Sequence, residues 1–536
     1  MKSEMPNIVA DTEWNARRPL ALAGAGLLLG LITERLFYDR ALGVSFPLWV
    51  AAILIALLVS AWYEDRRPAP AALALLVPTV ALAALVPLRV EPMTTFLAVV
   101  LTLGLLAVQV RLFRPGGFLH WGWLDLALAG VWVPLEAWLR PWPTLASVEQ
   151  KATGGERAKA RTVSVVRGLI LALPVLIIFT ALLSAADLVF GDMVEQALAW
   201  LNLERLLEFF GRATFVLLAA LFLLGALVAA LRRSEDEPVV RQGKPLVPAF
   251  LGMIETLIVL GAVDLIFLLF VAVQFRYFFG GEANITATAY TYAEYARQGF
   301  GELVFAGALA LGLIFTLAAV SRREAQRDRR LFDGFSVGLV AMVMVMLVSA
   351  FQRLLLYEQA YGFTRLRSYT HVFILWLGLL FAGFVVLLVR DQLRRFAPAS
   401  LLAAVGFALS LAALNVDDFI VRQNFQHQQS IGQLDAWYLT TLSDDAVPAI
   451  VARLDRVPDD ERPTLLAGLS CRRHILAERA ETSSWPSFRL PAAQAASALE
   501  AVAGQLADYP IEEDEWGSSQ ITLDEDEIYY CGSYGW

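Results

Sequence analysis

Stretches of roughly 20 mostly apolar residues, each long enough to cross a bilayer, recur from about residue 19 to residue 414 and then stop. Inside hydrocarbon a backbone must satisfy its own hydrogen bonds, so such stretches fold as helices. The clear spans are 19–33, 46–62, 71–88, 93–110, 166–186, 213–231, 249–275, 301–320, 332–356, 371–389 and 397–414, eleven in all. A twelfth candidate lies at 118–139. A chain that is 58% hydrophobic and 18% charged lies outside the soluble range. The expected fold is therefore all-α: a polytopic helical bundle over 1–415, a small helical domain over 416–510 and an acidic tail over 511–536. A signal peptide is not expected at the first span, because Ile32 is followed by Thr33, Glu34 and Arg35 rather than by a small-residue cleavage site.

Basic residues of short loops stay on the cytoplasmic side. The loops 140–167, 232–244, 322–330 and 390–395 are all rich in Lys and Arg, and all can face inside together. The alternate segments 187–212, 276–300 and 357–370 then lie outside, as does everything after 415. The N-terminal half discriminates between eleven and twelve spans. If 118–139 crosses, Arg17 and Arg18 fall on the wrong face. If it lies flat on the cytoplasmic surface, they fall inside with Arg66, Arg67, Arg111 and Arg114. That segment carries Asp125, Glu136 and four tryptophans, Trp121, Trp123, Trp132 and Trp138. Tryptophan prefers the headgroup level and intramembrane charge is costly. Eleven spans with a cytoplasmic N-terminus and an extracytoplasmic C-terminus is the reading these residues favour. A second in-plane helix is expected at 190–210, where Phe190, Val194, Leu198, Leu201, Phe209 and Phe210 mark one apolar face.

Charge is unevenly distributed. From residue 416 onward there are 21 acids against 8 arginines and no lysine, within a total net charge of −8. No basic face is available for phosphates, so nucleic acid is not an expected partner. The expected partners are the lipid bilayer and a membrane or extracytoplasmic protein. In the soluble part, Asp444 and Asp445 can cap a helix beginning at Val447, Pro458 to Asp460 is a turn, and Pro491 opens an Ala-rich helix. The acidic clusters Glu512–Glu515 and Asp524–Glu527 lack calcium-loop spacing and read as a solvated tail. Both cysteines, Cys471 and Cys531, lie in this part. They are a candidate disulfide or two free thiols.

Motifs for a reaction are missing from the sequence. The histidines His120, His371, His427 and His474 are scattered, and no phosphate loop, dinucleotide fingerprint or nucleophile elbow occurs. No cofactor and no metal are expected. Charge inside spans is the default functional pointer. Asp264 sits near the middle of its span, and Glu255 faces the other side of the same helix. Gln352 and Arg353 could reach Glu358. The outer segment 275–302 is dense in aromatic and charged side chains, among them Arg276, Tyr277, Tyr292, Glu294, Tyr295 and Arg297. It reads as an interfacial belt or as a ligand surface, with Tyr361, Arg365 and Arg367 as a second wall.

Six segments recur in order: LFYDRALGVSFPLW at 36–49, SAADLVF at 184–190, TYAEYARQGFGEL at 291–303, YGFTRLR at 361–367, NVDDFIVRQN at 415–424 and LTTLSDDAVPAI at 439–450. In these the chain resembles the bacterial multipass proteins of domain of unknown function 4173, close to 4153. The resemblance implies an inner-membrane protein with an extracytoplasmic C-terminal part, and it supplies no activity. Three functions are then in competition. A non-enzymatic sensor, regulator or assembly partner fits the lack of catalytic motifs. A lipid-linked sugar transferase or lipid-handling enzyme would use Glu34 or Asp39 in the first outer loop. A transporter would need Asp264 at a midplane cavity.

Overall fold

The computed structural model describes residues 17–113, 123–145, 183, 193, 203–232, 249–279, 300–323, 325–431, 434–513, 518–524 and 527–531. Among them, ten helices are long and apolar enough to cross a membrane. These are α1 (Pro19–Phe37), α2 (Ser45–Tyr63), α3 (Pro70–Leu88), α4 (Pro92–Leu112), α6 within Leu203–Leu231, α7 within Met253–Phe279, α8 within Phe300–Val320, α9 (Gln326–Tyr361), α10 (Arg365–Val389) and α11, whose regular part is Phe396–Leu414. The eleventh expected span, 166–186, lies outside the described residues apart from Leu183. Helices α1, α3 and α4 each open on proline, whose fixed φ suits the first helical position and whose missing N–H has no partner to lose there. The protein is a polytopic all-α membrane protein, with a mixed element at its C-terminus described below.

The chain forms two compact units. In the first, α1 packs on α6 through Gly26 and Gly30, a small-xxx-small pair. A Cβ at Gly30 would lie 2.6 Å from the Val216 carbonyl, and one at Gly26 would lie 2.7 Å from Leu224 Cβ. The absence of side chains is what lets two backbones approach in a medium with no hydrophobic drive to bring them together. The segment 118–139 contributes α5 (Trp123–Leu139). Its Ala137 is fully buried, Trp138 meets the Phe222 ring, and Glu136 is shared by Arg111 at 3.4 Å and Arg140 at 3.3 Å.

The expected in-plane helix at 190–210 needs correction over its described end. Residues 203–210 belong to the same 29-residue helix as the span that follows, α6. Nothing at Gly211 and Arg212 stops a helix. Arg212 instead bridges Glu208 one turn back at 2.8 Å and Glu34 on α1 at 3.4 Å. The rest of that expected helix lies outside the described residues, save Met193.

In the second unit, α9 and α10 form a hairpin around Gly362, and α7, α8 and α11 pack against them. Its core holds Leu260, Ile314, Phe332, Leu339, Phe381, Phe384 and Phe396. Phe315, Phe384 and Phe396 make mutual ring contacts at 5.2 to 5.4 Å. After α11, Asn415 takes a left-handed turn at φ 50°, which asparagine tolerates better than most residues. The C-terminal helices follow: α12 (Val416–Ile431), α13 (Ala436–Thr440), α14 (Val447–Val451), α15 (Arg462–Thr482), α16 (Leu490–Ala501) and α17 (Ala503–Leu506). Their core is continuous with the spans. Leu97, Val372 and Phe407 pack into the same cluster as Leu439, Ile450, Leu465 and Leu499.

As expected, the regular elements from Val416 to Leu506 are all helical, and the described part of the tail beyond them holds a small sheet. Strands β1 (Glu512–Glu513), β2 (Ser519–Asp524) and β3 (Glu527–Tyr530) form an antiparallel sheet in the order β1-β2-β3. Ile521 pairs with Tyr529, and both point into a small core with Ala467, Cys471 and Cys531. Alternation turns Ile521 and Tyr529 inward and leaves their neighbours Gln520, Ile528 and Tyr530 on the other face. The Cys471–Cys531 disulfide, with Cα atoms 5.2 Å apart, fastens this sheet to α15.

Candidate functional site

Polar groups converge where the soluble helices meet the ends of α3, α4, α10 and α11, all within the second unit. Arg365, the first residue of α10, grips Asp417 on α12 with two parallel bonds, Nε at 2.8 Å and Nη2 at 2.6 Å. Asp417 is fully buried and also accepts the Ser443 amide at 2.7 Å. The Arg365 amide donates to the Tyr438 hydroxyl at 2.9 Å. Bidentate, charge-assisted pairs of this kind fix geometry as well as charge.

Asp445 closes the second half of the joint. Its Oδ2 accepts the amides of Val90 at 2.8 Å and Glu91 at 3.1 Å, in the loop between α3 and α4. Arg89 stands 3.8 Å away and donates from Nε to the Ala412 carbonyl at 2.9 Å. Glu91, almost fully buried, caps α4 by accepting the amides of Met93 and Thr94, each at 2.8 Å, and it also accepts the Tyr369 hydroxyl. Asp444 is taken by Arg472 at 3.1 Å. Asp444 and Asp445 therefore do not cap α14, as their spacing suggests. That helix begins after Ala446 with no side-chain cap. The carboxylates are used instead on partners far along the chain.

A third set fixes the hairpin. Asn424 on α12 receives the Phe363 amide at 2.7 Å and donates to its carbonyl at 3.0 Å. Gly362 turns at φ 69°, and a Cβ there would lie 2.8 Å from Asn424 Oδ1. Glycine is the residue that satisfies both constraints. Three sequence motifs distant from one another, YGFTRLR, NVDDFIVRQN and LTTLSDDAVPAI, thus meet in one joint.

Burial pushes the Asp445 carboxyl up to about 6, an effect opposed by the amide bonds and by Arg89. Burial likewise raises the Tyr438 phenol. Because the native state holds the Asp445 proton more tightly than the unfolded chain, its contribution to stability is full below about pH 4 and is lost as pH rises through 6. Asp445→Asn should remove this slope, worth on the order of 2 kcal/mol. The check is the difference in melting temperature between pH 5 and pH 7.5 in detergent. Parallel behaviour of variant and wild type would rule the assignment out.

The other candidate residues fall elsewhere. Glu34 pairs with Arg212, whose guanidinium lies 5.1 Å from the Tyr38 ring centroid. Asp39 sits at φ 53° in the turn that ends α1, a conformation that aspartate tolerates. Tyr361 is exposed, 5.0 Å from the Tyr357 ring, and Arg367 lies over Tyr357 at 4.1 Å. Arg353 does not pair with Glu358. It donates to Gln274 on α7, while Glu358 is met by His371 at 3.0 Å. Asp264 lines a wide-open depression of about 340 Å³ with Arg330, Leu331, Gly334 and Phe335, and its Oδ1 accepts no hydrogen bond from a described residue. Arg276 and Tyr277 continue α7, and their side chains are outside the described residues, as are Tyr292, Glu294, Tyr295 and Arg297. Among the described residues, no cluster of three metal-ligating side chains occurs.

The sequence signal for the joint is present only as motif order. Arg365 and Asp417 stand out as charges next to spans, but nothing local pairs them. No curated protein and no solved structure matches the chain. A family profile does match, over residues 76–452, from the middle of α3 to just beyond α14, and it therefore contains every residue named in the joint except Arg472. The chain belongs to the family defined by domain of unknown function 4153 (DUF4153).

Proposed function

We propose that this protein is a non-enzymatic component of the bacterial cytoplasmic (inner) membrane, a sensor, regulator or assembly partner that presents a rigidly held extracytoplasmic helical domain to another protein. The observation that carries this reading is the joint. The charged residues of three motifs are spent on one another and on chain ends, so their chemistry fixes a domain in place. A catalytic site would hold such groups free in a cleft. Glu34 and Asp39, the acids a sugar transferase would use, serve an ion pair and a turn. A transporter would need a closed midplane cavity at Asp264, where the surface is a wide-open depression.

The orientation, with N-terminus inside and C-terminal domain outside, rests on the basic loops and on two kinds of contact. Ends assigned to the same side meet within each unit: Arg17 with Asp65, Glu34 with Arg212, Leu251 with Arg322, Arg329 with Asp391. The disulfide requires an oxidising compartment, which the cytoplasm is not. Kinship with the related family 4173 belongs to the same reading, through the motif order.

Purification in nanodiscs followed by mass spectrometry tests the proposal. A stoichiometric membrane or extracytoplasmic protein, lost when the joint is broken by Asp417→Ala, is the expected result. Retention of a polyprenyl-linked or similar lipid with no protein partner would overturn it in favour of a lipid-handling enzyme.

A further inference from the structure

The joint fixes the height of the soluble domain above the bilayer, and this has a consequence for one exposed tryptophan. Four span ends meet here: Leu88 of α3, Pro92 of α4, Arg365 of α10 and Leu414 of α11. Ends of spanning helices lie at the headgroup level, where hydrocarbon gives way to water. The segment from Tyr438 to Asp445 is bonded directly to residues at those ends, at 2.7 to 3.1 Å, through Arg365, Asp417, Val90 and Glu91. The apolar core also passes without a break from Leu97, Val372 and Phe407 into Leu439 and Leu465. Helix α13 is therefore held at the level of these span ends.

The faces of α13 are assigned by burial. Ala436, Leu439 and Thr440 are buried in the domain, and Tyr438 turns to the end of α10. Trp437 is left, about 100° around the helix from Tyr438. It is 59% exposed, on a five-residue helix whose other large side chains are bound. At the headgroup level an indole is a preferred side chain, because its ring meets the acyl boundary while its N–H meets glycerol and phosphate oxygens.

We propose that Trp437 inserts into the phospholipid headgroup layer, so that the soluble domain rests on the bilayer as well as on the span ends. The partner is the lipid surface, continuous with the lipid-facing sides of α4 and α10. Trp437 is a packing and anchoring residue in this proposal and takes no part in any reaction.

The test uses the full chain in phospholipid nanodiscs. Trp437→Cys is labelled with a nitroxide, and so, separately, is Ile528→Cys on β3. The native cysteines are bonded and buried and take no label. Position 528 is the control because its side chain is exposed on the sheet that the disulfide fastens to α15, whereas 437 lies on the helix bonded to the span ends. A nickel chelate carried on a lipid headgroup should relax the 437 label several-fold more than the 528 label, while a water-soluble nickel chelate should favour 528. Equal relaxation of the two, or a 437 label reached only by the soluble chelate, would overturn the proposal. Should the cysteine variant not fold, Trp437→Phe serves. Lipids brominated near the headgroup should quench less of its tryptophan fluorescence than of the wild type, and an unchanged quenched fraction would again overturn it.

Discussion

Asp417→Ala should loosen the C-terminal domain on the span ends, at a cost of about 3 to 5 kcal/mol. The carboxylate is wholly buried and answers two guanidinium nitrogens and an amide. Its loss leaves Arg365, itself largely buried, without a counter-charge, and leaves the Ser443 amide unpaired. The penalty comes from the group left behind more than from the bond removed. That distinction yields a second expectation. Arg365→Met combined with Asp417→Leu should be milder than either single change, because no charge is then stranded. Limited proteolysis in detergent reads both effects, as release of a C-terminal fragment beginning near residue 415. A single variant as protease-resistant as wild type, or a double variant worse than both singles, would show that the pair does not hold the domain.

Cys531→Ala should loosen the sheet and lower the stability of the soluble part by about 4 kcal/mol in the chain-entropy picture of a 60-residue closure. The effect is large because β1, β2 and β3 have little else to hold them. Their core is Ile521, Tyr529 and the disulfide itself against α15, with Tyr509, Ile511 and Leu523 partly buried beside it. Protease cleavage after about residue 510 should become fast, while the joint and the spans remain intact. Maleimide counting in denaturant without reductant should find no thiol in the wild type. A reactive thiol count of two, or an unchanged cleavage rate in the variant, would contradict the bonded tail.

The disulfide and the joint differ in how legible they are in the sequence. The pairing of Cys471 with Cys531 is visible as one of two alternatives, since they are the chain's only cysteines. The sheet they clip is hidden. Its strands are two to six residues long, and the apolar alternation of Ile521, Leu523 and Tyr529 is drowned by eight acids in the same stretch. For the joint, the reverse holds. Arg365 reads as part of a ligand wall, and Asp444 and Asp445 as helix caps. Both readings are local, whereas the true partners are 52 residues away for Arg365 and 355 for the Val90–Asp445 bond. The mismatch at 190–210 has the same origin: an amphipathic stretch beside a span reads as a separate helix, when over its described end one helix runs through both.

Composition along the chain is enough to give the membrane class, the helical fold and the positions of ten spans among the described residues. Hydrocarbon acts on each segment separately, so about 20 apolar residues specify a spanning helix without reference to any other part of the chain. The roles of the charged residues between and beyond the spans emerge only from packing. A carboxylate in a loop can cap a helix, hold a ligand or bind an arginine, and its own neighbours in sequence fit all three. The choice depends on which groups the packed helices bring within about 3 Å, because the cost of burying a charge is met only by a partner in place.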